Sequence, residues 1–449
     1  MTRPDSPLTP GQETPAPGTT LDEFASVLTR HSESVEELIA RLPAKPERDP
    51  HQQQLATEAF ASCRTLRRAF IARHADAVYH ELTDGHALAL RLGPLVHAAA
   101  DRFPGLVPTQ AQLDAERAHR QADKEGREVD QAIFFAGLLR SAVAGGHLMD
   151  AMLRPLPDSV ARLQEFRSSG RVRLASVLLE RRGQAAHLTL DNQHCLNAED
   201  NQLVADLETA VDLVALDGQV RVGVLRGAVM SHPRHLGKRV FSAGINLADL
   251  RNGRLSFVDF LLGRELGFLG KLVHGVVVDP ARTSRSERAA HKPWVAAVDS
   301  FAIGGGTQLM LACDRVIAEQ DSYFSLPAAH EGIVPGLGNL RLGRFTGGRL
   351  ARRIILGGHA VRATDPEAGL LCDEVVPREE MDAAVERAVE DLAAPAVAAN
   401  RFMLNLAEEP LDHLRSYLAE FAVVQAERLY SADVLAKVEQ RWTRSRAGR

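Results

Sequence analysis

Cysteine is scarce here: four in 449 residues, at Cys63, Cys195, Cys313 and Cys372, with no C-x-x-C pair among them. That argues against a disulfide framework and a structural zinc site, and for a reducing compartment, so a cytoplasmic location is expected. Long apolar runs are missing too. None approaches the roughly 20 residues of a membrane span, and the first residues lack the basic-then-apolar layout of a secretory signal. Neither sign of charge dominates: 53 Lys and Arg face 58 Asp and Glu, for a net charge of −5. No basic field invites nucleic acid or an anionic membrane. The seventeen histidines show no metal-binding spacing of the H-x-E-x-x-H kind, and most are read as surface residues. What remains, 45% hydrophobic and 25% charged, is an ordinary globular composition in a chain long enough for more than one structural region.

Residues 1–20 are rich in Pro, Thr and Gly and read as a disordered tail. From Leu21 to about residue 170 apolar residues recur at three-and-four spacing, as in Leu21, Phe24, Val27 and Leu28, then Val35, Leu38 and Ile39. Leu88–Ala100 and Gln131–Leu153 are further helix candidates, and this whole region carries no evident chemistry. A helical domain, lid or interface is its expected role. At Arg171 the period changes. Val172–Leu179 and Ala185–Leu190 read as two strands, Asp200–Leu216 as a helix and Val222–Gly227 as a strand. Strand and helix then alternate to about residue 380, the pattern of βαβ units and an α/β fold. Residues 381–449 are helical again.

Three consecutive glycines stand where a strand meets a helix, in FAIGGGTQL from Phe301 to Leu309. Glycine tolerates strained backbone and lets a ligand approach closely. The first N–H groups of a helix lack internal partners and sit at its positive end, so such a turn can hold a developing oxyanion. Alone, it would more often be a packing feature.

Two other segments accompany it: RVFSAGINLADL from Arg239 to Leu250, after the Val222 strand, and FSLPAAHEGIVPGLG from Phe324 to Gly338. In order and spacing the three segments resemble the crotonase (enoyl-CoA hydratase/isomerase) superfamily over roughly residues 172–380. The resemblance implies a crotonase-like ββα superhelix core, flanked here by an N-terminal α-helical domain over 21–170. It also implies C-terminal helices over 381–449 that pack a trimer, or a hexamer made of two trimers, and partly cover the site. An acyl-CoA thioester is the implied substrate, its carbonyl held by the N–H groups of Ile245 and Gly305, with Gly304 and Gly306 shaping the turn. Lys238 and Arg239 would pair with CoA phosphates, with His232 and Ala243 beside them. Two stretches depart from the family pattern: the long connection Ala228–Lys238 and the added segment Val276–His291.

Family members that hydrate double bonds carry two glutamates, at positions that here hold Gln308 and Ala328. An amide does not titrate near neutrality and a methyl group has no proton to give, so hydration is not expected. Glu199 and Glu331 are the glutamates near enough in the motifs to stand in. Ile245, Leu247, Ala328, Ile333 and Val334 suggest instead a dry cavity beside the thioester's α-carbon, where O₂ partitions and water does not. This combination resembles a branch of the superfamily from glycopeptide-antibiotic biosynthesis. Its members oxygenate 3,5-dihydroxyphenylacetyl-CoA without metal, flavin or other cofactor. Glu199, Arg264 and Gln308 would then orient the two phenols. An isomerase, hydrolase or decarboxylase on the same scaffold, or a degenerate CoA-binding protein, is the alternative.

Overall fold

A computed structural model describes residues 14–447. Of the tail expected over 1–20, residues 1–13 therefore lie outside the described residues. Seven helices come first: α1 (Leu21–Arg41), α2 (Pro50–Leu82), α3 (Leu92–Arg102), α4 (Gln110–Arg117), α5 (Glu128–Arg140), α6 (Ala142–Leu153) and α7 (Pro157–Ser169). Capping boxes start α1 and α2, where Thr20 pairs with Glu23 and Asp49 with Gln52. The helix expected over Gln131–Leu153 is in fact two. The Ser141 hydroxyl accepts from the N–H groups of Val143 and Ala144 and caps α6, so the chain turns there.

Strands follow: β1 (Arg171–Arg173), β2 (Val177–Arg182) and β3 (Ala185–Leu190), then α8 (Asn201–Leu216) and β4 (Val222–Gly227). The single strand expected over Val172–Leu179 is a hairpin, with Val172 opposite Leu179. Asp206 accepts both the N–H and the hydroxyl of Ser176, and this holds the turn. Next come α9 (Leu247–Arg251) and a π-helical turn, Phe257–Leu262, that runs into α10 (Gly263–Leu266) and α11 (Phe268–His274). The added segment forms a small ribbon, β5 (Val276–Val277) with β6 (Ala289–Ala290), around α12 (Arg285–Arg288). Then follow β7 (Trp294–Val298), β8 (Phe301–Ile303), α13 (Gly305–Met310), β9 (Arg315–Glu319), β10 (Tyr323–Ser325), α14 (Ala328–Glu331), α15 (Gly338–Ile355), β11 (Val361–Arg362) and β12 (Glu374–Val376). Four helices close the described chain: α16 (Met381–Leu392), α17 (Pro395–Glu408), α18 (Leu411–Leu429) and α19 (Ala432–Ala447).

Seven strands make one sheet in the order β1-β2-β3-β4-β7-β9-β12, parallel from β3 onward. Alternation sorts its two faces. Leu225, Ala296 and Val298 point into the main core, while Val224, Val295 and Ala297 pack against α16. A second sheet, β11-β10-β8, ends where α13 begins. The main core runs unbroken from Phe24 through the sheet to Leu429, so helices from both ends of the chain bury one shared interior. In it α5 is buried along nearly its whole length, against α18.

Candidate active site

The strand-to-helix turn at Gly304 is the starting point. Its backbone, at φ 54° and ψ −113°, is one that only glycine adopts readily. The neighbouring segment runs parallel to it at a constant offset: Ser242 pairs with Ala302, and Ser242 C=O accepts from Ile303 N–H at 3.0 Å. Carrying that register three residues on sets Ile245 beside Gly305. Glu199 holds the other edge, its N–H donating to Gly244 C=O at 2.6 Å and its C=O accepting from Asn246 N–H at 2.9 Å. Both bonds skip Ile245, whose own N–H has no acceptor among the described residues. The Gly305 N–H, first in α13, has none either. Two unpaired amides thus open side by side, those of the two residues the resemblance singled out.

They open onto a cavity of about 50 Å³. Glu199, Ile245, Arg264, Gly304, Gly305, Gln308, Ala328, Ile333 and Val334 all line it, so most of the expected site residues do converge. Glu331 lines it as well. Arg264 is the hub of the polar wall. Its Nε and Nη2 bind the two oxygens of Glu199 at 2.8 and 3.0 Å, a bidentate pair with both side chains almost fully buried. Nη1 donates to Glu265 Oε1 at 2.7 Å and to Gln308 Oε1 at 3.2 Å, and Nη2 donates to Gly305 C=O at 2.9 Å. Burial raises the Glu199 carboxyl above its usual range and Arg264 opposes the rise. Burial alone would lower Arg264, but the two carboxylates outweigh it and hold the guanidinium charged. Glu199 and Arg264 are therefore buried groups paired inside the site, not surface charges.

Some expected residues are elsewhere. Leu247 does not line the cavity, because the Asn246 side chain caps α9 and Leu247 enters that helix, packed on the main core. Gly306 packs against Ser242, where an added Cβ would lie 2.7 Å from Ser242 Cβ. Ala243 belongs to a separate apolar cluster with Met230, Val240 and Phe301. Arg239 is half-buried and donates to Gly227 C=O at 3.0 Å, so it is largely spent on its own loop. Lys238 is exposed on the long connection, and His232 lies tilted against His235, which meets Phe301 edge-on. These four residues flank the turn without reaching the cavity.

The fold also supplies residues that the motifs did not point to. Glu265 is buried, bonded to Arg264 and accepting from Leu337 N–H at 3.3 Å. Its signal was present: two adjacent charges, Arg264 and Glu265, in an otherwise apolar helix. Phe421 and Gln425 line the cavity from α18, far beyond the last motif in sequence. One polar grouping amends the expectation of scattered cysteines. His194, Cys195 and Asp200 bring their ligand atoms within 4.8 Å of one another, though Asp200 is already engaged as the cap of α8 and with Asn192.

Comparison with known proteins adds to this geometry. Residues 285–433 match the enoyl-CoA hydratase/isomerase family. The chain is 56% identical over 411 residues to (3,5-dihydroxyphenyl)acetyl-CoA 1,2-dioxygenase of Amycolatopsis orientalis, covering 92% of this chain and 94% of that one. To a short-chain-enoyl-CoA hydratase of Clostridium acetobutylicum it is 29% identical over 215 residues, 47% of this chain and 74% of that one. At 411 residues the first likeness is long enough to take in most of the N-terminal helices.

Proposed function

Because the chain belongs to the enoyl-CoA hydratase/isomerase (crotonase) superfamily, we propose that it is a dioxygenase. It converts (3,5-dihydroxyphenyl)acetyl-CoA and O₂ to the arylglyoxylate and free CoA, and it needs no metal, flavin or other cofactor. One observation carries the reading: two unpartnered amides face a cavity whose two hydratase acid positions hold Gln308 and Ala328. Chain-long likeness to a dioxygenase, helical region included, supports it.

The residues divide the work as follows. The Ile245 and Gly305 N–H groups take the thioester oxygen. Loss of the α-proton then gives an enolate whose charge those donors hold, each such donor being worth about 3–4 kcal/mol of barrier. The aryl ring spreads the remaining charge, so a strong base is less necessary. Arg264, Glu199 and Gln308 orient the two phenols. The enolate reduces O₂, and a C–O bond forms at the α-carbon. The terminal peroxide oxygen attacks the thioester carbonyl and CoA thiolate leaves. O–O cleavage with loss of the second α-hydrogen gives the α-keto acid, and the two α-hydrogens appear as the protons of thiol and acid. Ile245, Ala328, Ile333 and Val334 keep water from the carbanion and the thioester while admitting an apolar gas. The CoA moiety extends past the turn toward His232 and Lys238.

Metal-stripped protein mixed with this thioester is expected to consume one O₂ per CoA released, with no effect of chelators. A Clark electrode and a thiol reagent read the two quantities. Equal CoA release under argon would refute the dioxygenase and favour a hydrolase on the same scaffold.

Assembly into trimers, singly or in pairs, belongs to the same reading. Met403, Leu404 and Leu406 on α17 are exposed, as are Phe345 and Leu356 on and beside α15. Apolar side chains this dense on neighbouring helices call for a partner surface. Sedimentation velocity is expected to give a mass of three or six chains; a monomer at micromolar concentration would exclude it.

A further inference from the structure

We infer that α18 acts as a strap whose side chains set the position of the cavity wall Gly332–Gly336, and thereby the partition between oxygenation and loss of the thioester to water. Three side chains on one stripe of the helix grip the wall's backbone. Tyr417 donates its hydroxyl to Gly336 C=O at 2.5 Å, Gln425 Oε1 accepts from Val334 N–H at 2.8 Å, and Arg428 Nε donates to Gly332 C=O at 2.6 Å. Positions 417, 421, 425 and 428 share one helical face, and Phe421 fills the gap by lining the cavity itself. Burial pushes the Tyr417 phenol up, so it stays a donor at any working pH. The wall so held carries Ile333 and Val334, two of the apolar residues beside the reacting carbon. Gly336 also stands against Glu265 and Gln308, where an added Cβ would lie 2.2 Å and 2.6 Å from their side-chain oxygens. A shift of the wall therefore reaches both the apolar and the polar side of the site.

The adjacent stripe of α18 is fixed to the N-terminal helices. Arg415 donates to the last carbonyls of α5, Leu139 at 2.6 Å and Arg140 at 2.8 Å. At the other end the Tyr430 hydroxyl donates to Glu128 at 2.6 Å, in the first turn of α5. So α5 and α18 run antiparallel, pinned at both ends, with Leu418, Ala422 and Leu429 buried along the helix. This gives the helical region, which holds no chemistry of its own, a part in the reaction: it braces the strap. A brace matters because the cavity, at about 50 Å³, is far smaller than the several hundred Å³ a ligand pocket of this kind occupies. The wall must yield to admit the aryl group and return to the same place before O₂ reacts.

The inference rests on the proposed dioxygenase reading, and one assay separates the two. O₂ consumed and CoA released are measured together for wild type, Gln425→Met and Tyr417→Phe, with arylacetic acid assayed as the product of thioester hydrolysis. Water attacks the thioester carbonyl there, CoA thiol leaves and no O₂ is used. In the variants O₂ per CoA is expected to fall by roughly twofold or more, with arylacetic acid making up the difference and the KM for O₂ rising. Thermal unfolding measured alongside separates this shift in the ratio from a general loss of folding, which would lower O₂ uptake and CoA release together. Tyr417→Phe removes a single hydroxyl and keeps the test available if Gln425→Met does not fold. A ratio and an oxygen KM equal to wild type in a folded variant would overturn the strap alone. Absence of O₂ uptake in wild type would overturn the dioxygenase instead.

Discussion

Replacing Gly305 by alanine is expected to lower kcat by about two to three orders of magnitude in a protein that still folds. A Cβ at this position would lie 2.0 Å from Glu199 Oε2, a distance no real methyl group keeps, and a tight 3.3 Å from Arg264 Nη2. One side must move. The Glu199 carboxylate is held by both arms of a buried guanidinium and its backbone is bonded on both sides, so it has little room to retreat. The turn therefore yields, and the Gly305 N–H leaves its place beside Ile245. One donor to the developing oxyanion is lost, and the group that orients the ring is strained as well. Folding survives because the clash is confined to one methyl at a helix start, with the main core untouched. Steady-state turnover measured alongside thermal unfolding checks this. A folded G305A enzyme with kcat within roughly threefold of wild type would show that the reacting oxygen is not bound at residue 305.

Much of this site is legible in the amino-acid sequence, and for a physical reason. An oxyanion turn is made of backbone, and backbone that must approach a ligand or adopt φ 54° writes itself into sequence as glycine. GGG at 304–306 and SAG at 242–244 thus stood out as glycine turns, and the resemblance to the family is what paired them. Strand and helical spacing likewise revealed β4, α8 and the helical character of residues 381–449. Loss of the acids was legible as Gln308 and Ala328. What stayed hidden depended on distant packing. Leu247 reads as apolar whether it faces a cavity or a core, and only the Asn246 cap decides between them. Gln425 and Tyr417 are single polar residues on a helix far down the chain, and their partners are carbonyl and amide groups that sequence does not display. The turn at Ser176 depended on Asp206, thirty residues away. Glu265 was overlooked beside Arg264 because neighbours in sequence on a helix normally face different ways; α10 is buried on every side, so both face inward.

Arg264→Met is expected to cost about 3–5 kcal/mol of stability near neutral pH and more than that share of the activity, because it strands buried carboxylates. Glu199 keeps about 2% of its surface exposed, and Arg264 supplies both bonds to its carboxylate oxygens. Burial already raises the Glu199 carboxyl, and Arg264 is the first influence opposing that rise. Without it the folded-state value climbs further above the unfolded one. Between those two values the folded protein then binds a proton that the unfolded chain does not. Stability of the variant must therefore fall as pH increases through that window, and the deficit relative to wild type must be smaller at about pH 5 than at about pH 8. Denaturant unfolding at the two pH values measures it. Adding Glu199→Gln should remove most of the pH dependence and recover part of the stability, since a neutral amide can be buried where a lone carboxylate cannot. Activity should not return with it. The same guanidinium bonds Gly305 C=O, Gln308 and Glu265, and misplacing an oxyanion donor and a ring contact by even about 1 Å costs on the order of 100-fold. An Arg264→Met protein as stable as wild type at pH 8, with the same pH slope, would mean that Glu199 carries no buried charge to be paired. The polar half of the site would then have to be rebuilt around a neutral carboxylic acid that donates, rather than accepts, the hydrogen bond to the substrate.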